Sequence, residues 1–295
     1  MPEIPKEVIE KVRRLEISAK ERVLDLFSGM YHSAFKGQGI EIEDIREYQP
    51  GDDIKSISWT KTAQMGRPFV KTFHEERDLI VFLLVDISSS QDFASKGIFK
   101  RELVAELGAL LAFSAIFNHD RVGLILFSSE IEKYIPPKRG TRHGVRLIRE
   151  LLTFKPKNRG TDIAKALKFL QTVHHKKAIC FLLSDFLTDT PYEHDFLMTS
   201  KKDDLIAIRI FDPLEENLPP LGLIQLEDLE TGKRGLYNID QKVQKEFQEN
   251  VKKRISKLTK LAKEVSASLI EMSTQDAPYD ALHRFFKLRK KARPW

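Results

Sequence analysis

Residues 79–90 read LIVFLLVDISSS. Seven apolar residues, Leu79–Val85, run without a break into an aspartate and a cluster of serines. A strand with one wet face alternates apolar and polar residues. An unbroken apolar run suits a strand covered on both faces, as in the middle of a parallel sheet. Val122–Phe127, Ala178–Leu183 and Leu205–Phe211 have the same texture. Among them lie helical patterns at Glu102–Phe117, His143–Leu152 and Asp162–Val173, and after them come Gln241–Glu264 and Tyr279–Lys291. Ala267–Met272 reads as a last strand, Glu130–Ile135 as a short one, and Leu223–Glu227 with Gly235–Asn238 as a small hairpin. Strands alternating with helices predict an α/β fold, with a mainly parallel sheet and helices on both faces.

Upstream the texture differs. Residues 6–28 carry apolar residues at mostly helical spacing, and Tyr31–Arg77 is polar and contains glycine. Gln49-Pro50-Gly51-Asp52 is a turn signal, and Phe69–Phe73 reads as a strand. We therefore expect residues 1–77 to form a helix and a small β-rich unit packed on a main domain of residues 78–295. A unit of fewer than about 80 residues rarely supplies a strong core alone, so the first part should depend on the second.

Composition excludes several classes. A single cysteine, Cys180, allows no intrachain disulfide and no cysteine-based zinc cluster, and within an apolar run it reads as a packed, inert thiol. A bilayer span needs about 20 apolar residues, far more than any run here. The N-terminus, MPEIPKEVIEKVRRLE, has no apolar signal core. A cytoplasmic protein is expected. The net charge of +6 is localised: Arg284, Lys287, Arg289, Lys290, Lys291 and Arg293 occupy a tail, residues 284–295, that has no acid. Without those six the chain is formally neutral. The tail reads either as a solvated helix end whose cations suit the C-terminal dipole, or as a contact for nucleic acid or an acidic partner.

In an open parallel sheet, ligands bind beyond the carboxyl ends of the strands. One strand ends in Asp86, Ser88 and Ser90, another in Ser184 and Asp185, and Thr161 stands in a loop that opens a helix. Such oxygens suit a hard divalent cation, which takes one or two carboxylates and keeps several waters. Two carboxylates formally neutralise the ion, and hydroxyls add no charge, so it retains affinity for an outside carboxylate. No Walker-type loop, dinucleotide fingerprint or G-x-S-x-G elbow is present.

This order of residues, Asp86-x-Ser88-x-Ser90, then Thr161, then Asp185, resembles the metal-ion-dependent adhesion site of von Willebrand factor A domains. The resemblance implies a von Willebrand factor A-like (Rossmann-type) sheet, and Mg2+ or Mn2+ held by these five residues. The upstream stretch with Arg46, Tyr48, Gly51, Asp52, Ile57 and Trp59 is similar to the hallmark of the bacterial domain-of-unknown-function 58 family, and Lys71 and the pair Glu75-Glu76 also fit. The similarity covers about residues 20–290. Gln91 stands where the family often has Met, and Lys55 where it often has Arg. Many members carry N-terminal membrane helices, which this chain lacks. The hallmark residues read either as a buried ion-pair lattice joining the small unit to the sheet domain or as a partner-binding surface, with Trp59 a packing anchor.

The resemblance implies a non-enzymatic, metal-dependent protein-protein interaction module, or adaptor. A partner's Asp or Glu would complete the metal coordination, and a MoxR-type AAA+ ATPase would be the partner. No Lys or His lies in the metal loops to serve as a general base. A second reading is a metal-dependent phosphohydrolase with Asp86 as nucleophile. Such enzymes usually need an acid two residues on, where this chain has Ser88. A third is nucleic-acid contact through the basic tail.

Overall fold

A computed structural model describes residues 6–22, 31, 34, 35, 40–75, 79–229 and 232–292. In chain order the elements are α1 (Lys6–Arg22), β1 (Ile40–Glu47), α2 (Trp59–Met65), β2 (Phe69–Glu75), β3 (Ile80–Asp86), α3 (Lys100–Phe117), β4 (Arg121–Phe127) and β5 (Ile131–Lys138). They continue as α4 (Thr141–Thr153), α5 (Ile163–Val173), β6 (Ile179–Ser184), α6 (Glu193–Lys202), β7 (Asp204–Phe211) and α7 (Pro213–Glu216). The last are β8 (Gly222–Glu227), β9 (Arg234–Ile239), α8 (Gln241–Glu264), β10 (Ser268–Ser273) and α9 (Pro278–Ala292). Residues 23–28 of the expected first helix lie outside the described residues.

Six strands form one sheet in the order β10-β7-β6-β3-β4-β5. All neighbours run parallel except β5, which pairs antiparallel with β4 at the edge. This is the α/β arrangement expected, a mainly parallel sheet with helices on both faces. The unbroken apolar run becomes β3, in the middle of the sheet, where both faces are covered. Phe82 and Leu84 join Ile125, Phe127, Cys180 and Leu182 in one buried layer under α5, α6 and α8. On the opposite face α3 lies so close to α4 that a Cβ on Gly108 would stand 2.6 Å from Leu151 Cδ1. Full burial of one such Leu or Phe contributes about 1.5–3 kcal/mol, so the central strand is the energetic heart of the sheet. Cys180 is buried and free, and burial pushes its thiol well up, as suits a packed and inert group.

The contacts divide the chain into two units, Met1–Ala34 with Ile80–Trp295, and Phe35–Leu79. The expected grouping set α1 with the β-rich segment, but α1 packs on α3 and α4 and belongs to the larger unit. The smaller unit holds the antiparallel pair β1–β2 with α2 between them in sequence. The hairpin expected near residues 223–238 is β8–β9, a separate two-stranded ribbon. Among the described residues no helix is long and apolar enough to cross a membrane.

Candidate metal centre at the switch point

Strand order decides where a site can form. From β3 the chain proceeds to β4 and β5 on one side of the sheet, then returns to β6, β7 and β10 on the other. At this reversal the loops after β3 and β6 part and leave a crevice, the usual ligand position of open α/β sheets. Asp86 ends β3, and Ser184 ends β6 with Asp185 next to it.

Asp86 is 1% exposed. Its Oδ1 accepts the Ser88 backbone N–H at 2.9 Å, and its Oδ2 accepts the hydroxyls of Ser184 at 2.6 Å and Thr161 at 3.4 Å. It makes no ion pair among the described residues. Burial and the negative charge of Asp185 push its pKa up to about 7. A cation at this position would reverse that effect.

The other expected ligands gather around it. Ser88 Oγ and Ser90 Oγ are 3.0 Å apart, so alternate residues past the strand end do turn their hydroxyls together. The loops are tied to one another: Ser89 N–H donates to the Arg159 carbonyl at 2.9 Å, and Thr188 Oγ1 donates to the Thr161 carbonyl at 2.9 Å. Asp162 caps α5 through the Lys165 N–H at 2.9 Å, which fixes the neighbouring Thr161. Phe186, after Asp185, has φ 57°, a left-handed conformation rare for a bulky residue. Its N–H donates to Ser184 Oγ at 3.0 Å, and the Leu187 N–H donates to Asp185 Oδ1 at 3.0 Å.

A lysine that the sequence reading passed over completes the cluster. The metal loops hold none, but Lys100, from the first turn of α3, reaches in fully buried. Its Nζ donates to Asp185 Oδ2 at 2.8 Å and to Glu215 Oε1 at 2.6 Å. Burial works to lower its pKa, yet the two carboxylates hold it raised. The available signal was a cation at a helix N-terminus, where the dipole disfavours it, opening an otherwise apolar helix. The charge balance therefore differs from two lone carboxylates. With Asp86 ionised, three carboxylates against one ammonium leave a net charge of minus two, which matches a divalent ion.

The donor set fits such an ion. Among the described residues no three His, Cys, Asp or Glu side chains form a metal cluster, so hydroxyls must supply inner positions. Ser88, Ser90 and Thr161 could provide them, beside the buried carboxylate of Asp86, which makes no ion pair among the described residues. Gln91 adds an orphaned polar group: it is 2% exposed, and neither its Oε1 nor its Nε2 has a hydrogen-bond partner. It lines a cavity of about 20 Å³ with Asp86 and Ser88. That is enough for a water, which needs roughly 10–15 Å³.

The upstream hallmark residues lie in the smaller unit. Arg46 grips Asp52 with both guanidinium arms, Nη2–Oδ1 at 2.6 Å and Nη1–Oδ2 at 2.9 Å. Asp52 also accepts the Gln49 N–H at 2.8 Å and closes the turn through Gly51, whose φ of 108° suits glycine. The hydrogen bond from Arg46 holds the Asp52 carboxyl low. Tyr48 N–H bonds the Pro68 carbonyl at 2.9 Å, and Ile57 bridges Val70. The lattice expected to be buried is thus local and partly exposed, because the turn itself is a surface feature. Trp59 is 69% exposed at the start of α2, which corrects its reading as a packing anchor. Glu76 lies outside the described residues.

The basic tail is also not uniform. Arg284, Lys287 and Lys290 are exposed on α9, but Arg289 is buried and pairs with Asp204, Ser268 Oγ and the Ala34 carbonyl. One of the six cations is therefore a structural tie rather than a solvated end. Arg293 lies outside the described residues.

The family model described as protein of unknown function DUF58 matches residues 44–257. Uncharacterized protein Rv1480 of Mycobacterium tuberculosis is 27% identical over 238 residues, covering 80% of this chain and 75% of that protein. The crystal structure of conserved hypothetical protein BatB from Bacteroides thetaiotaomicron is similar with a TM-score of 0.49 and 14% identity, over 72% of this chain and 99% of that one. Proximal thread matrix protein 1 from the mussel byssus, solved with a zinc-occupied MIDAS motif, is similar with a TM-score of 0.35 and 19% identity, over 45% of this chain and 38% of that one.

Proposed function

This chain belongs to the DUF58 family, and we propose that it is a metal-dependent protein-protein interaction module, not an enzyme, in which a partner's Asp or Glu completes the coordination of a bound divalent ion. The observation that carries this reading is Asp86: a buried carboxylate at the switch point, ringed by hydroxyls and with no cation partner among the described residues. Ser88, Ser90 and Thr161 would hold Mg2+ or Mn2+ directly, with Asp86 and Asp185 orienting its waters. The bound ion supplies a hard Lewis-acid position for an incoming carboxylate. The residues of the chain do the rest. Ser184 and the Ser88 N–H fix the Asp86 carboxylate, and Lys100 fixes Asp185, so the site is preorganised.

The competing phosphohydrolase reading has less support. Ser88 stands where the general acid should be, and both Asp86 oxygens accept hydrogen bonds from the protein. Asp86 is also 1% exposed, whereas a nucleophile must be reached by its substrate. A MoxR-type AAA+ ATPase is the partner we propose, on the family resemblance alone.

Affinity capture in Mg2+, in excess EDTA, and after Mg2+ is restored tests the mechanism. The partner should be lost in EDTA and regained with the ion, and capture at equal affinity in EDTA refutes it. Calorimetry checks the site itself: Asp86→Ala should abolish Mg2+ binding while circular dichroism stays native.

A further inference from the structure

A cavity of about 280 Å³ opens beside Asp185, at the carboxyl ends of β6 and β7 and against α8. Phe186, Val251 and Leu258 form buried parts of its lining, and Tyr192 and Ile255 are half-buried there. Asp185 belongs to both places, since it lines this cavity and binds Lys100 in the metal cluster. The left-handed backbone at Phe186 lets consecutive residues serve two purposes, a carboxylate in the cluster and an aromatic ring in the cavity wall. The charges of the lining are largely spent. Arg209 pairs with Glu216 and Glu271, and Glu215 pairs with Lys100. Arg254, exposed on α8, and Asp189, exposed in the loop after β6, are left without a side-chain partner among the described residues.

We propose that this cavity receives a large apolar side chain, Phe or Leu, from the acidic partner segment whose carboxylate reaches the metal. The inference rests on the metal-bridged reading above and names the rest of the recognition surface. Three features choose this occupant. The volume, near the lower end of the roughly 300–1,000 Å³ of small-molecule pockets, is room enough for one Phe or Leu side chain. The lining joins apolar and aromatic side chains to charges that are mostly paired, Arg209, Glu215, Glu216 and Lys257 among them. The unpaired guanidinium of Arg254 complements a segment that carries acids besides the one on the metal.

The test uses the full chain, labelled with 13C at Ile, Leu and Val methyls, in Mg2+. The probes are short glycine-based peptides containing one Phe and one Asp, with an increasing number of glycines between them. At the matching spacing, the Val251, Ile255 and Leu258 methyls should shift. Replacing Phe by Gly in the peptide should weaken binding by roughly tenfold to a hundredfold, the ratio that burial of one large apolar side chain commands. Ile255→Trp, which fills the cavity, should cause a similar loss. Arg254→Glu, on an exposed helix face where folding is not at risk, should weaken binding of peptides with a second acid.

The proposal is overturned if the Phe and Gly peptides bind equally, or if no peptide moves these methyls. In the first case a loss in EDTA would leave the metal mechanism standing. If binding depends on Phe but persists unchanged in EDTA, the cavity is supported and the metal bridge is refuted.

Discussion

Replacing Lys100 by Met removes one ammonium and little volume. Lys100 is fully buried, with Asp185 and Glu215 both within 2.8 Å of its Nζ. Taking away one member of a buried ion pair leaves the other charge stranded in a medium that cannot solvate it, and costs about 3–5 kcal/mol. Glu215 is 21% exposed at its side chain and can recover some water, which favours the lower end. In a unit of this size each kcal/mol shifts Tm by about 2–4 °C, so the variant should melt about 6–20 °C lower in EDTA. Mg2+ should then recover more of the loss in the variant than it adds to the wild type. With Lys100 gone, the three carboxylates present a net charge of minus three to the ion. Saturation at a hundred times Kd stabilises by about 2.7 kcal/mol, and tighter binding by the variant raises that figure. Calorimetric melts with and without Mg2+, with a Mg2+ titration of each protein, measure both effects. A variant that melts within about 2 °C of wild type in EDTA refutes the buried pair. One that folds but binds Mg2+ more weakly refutes the assignment of Lys100 as a charge facing the metal site.

Two further outcomes follow from the same structure. Because the folded state raises Asp86 from its ordinary 3.8 to about 7, it holds a proton that the unfolded chain has released; metal-free protein should therefore lose stability as pH rises through that interval, and thermal melts should show the slope flattened by Asp86→Asn and by saturating Mg2+. In urea melts, Arg289→Met should cost about 3–5 kcal/mol through its buried pairing with Asp204, whereas Lys287→Ala on the exposed face of the same helix should stay within about 0.5 kcal/mol.

Much of the fold could be read from the chain because its central strands are apolar on both faces. β3, β4, β6 and β7 each stood out as runs ending near a polar residue, and those polar ends marked the crevice. What escaped notice lacked a periodic signal. α6 buries Phe196, Thr199 and Asp195, so Glu193–Lys202 shows no apolar stripe. α2 has no buried residue at all, and its sequence looks like loop. In the site, Asp86, Ser88, Ser90, Thr161 and Asp185 could be placed by order and by strand ends. The roles of Ser184 and Lys100 could not, because both depend on which strands become neighbours. Arg289 failed for a related reason. A cluster of cations in sequence says nothing about which one turns inward, and here that was set by the approach of Asp204 from a strand 85 positions away.

The same long separations have a kinetic consequence. Thr161 meets Asp86 across 75 positions, Lys100 meets Asp185 across 85, Ser184 meets Asp86 across 98, and Lys100 meets Glu215 across 115. No short stretch can assemble this cluster, since contacts far apart in sequence form only after the intervening chain has lost its freedom. A misfolded or half-finished molecule therefore displays no such cluster. A protein that docked through these residues, as proposed above, would meet only finished copies, and the wiring of the sheet would then act as proofreading.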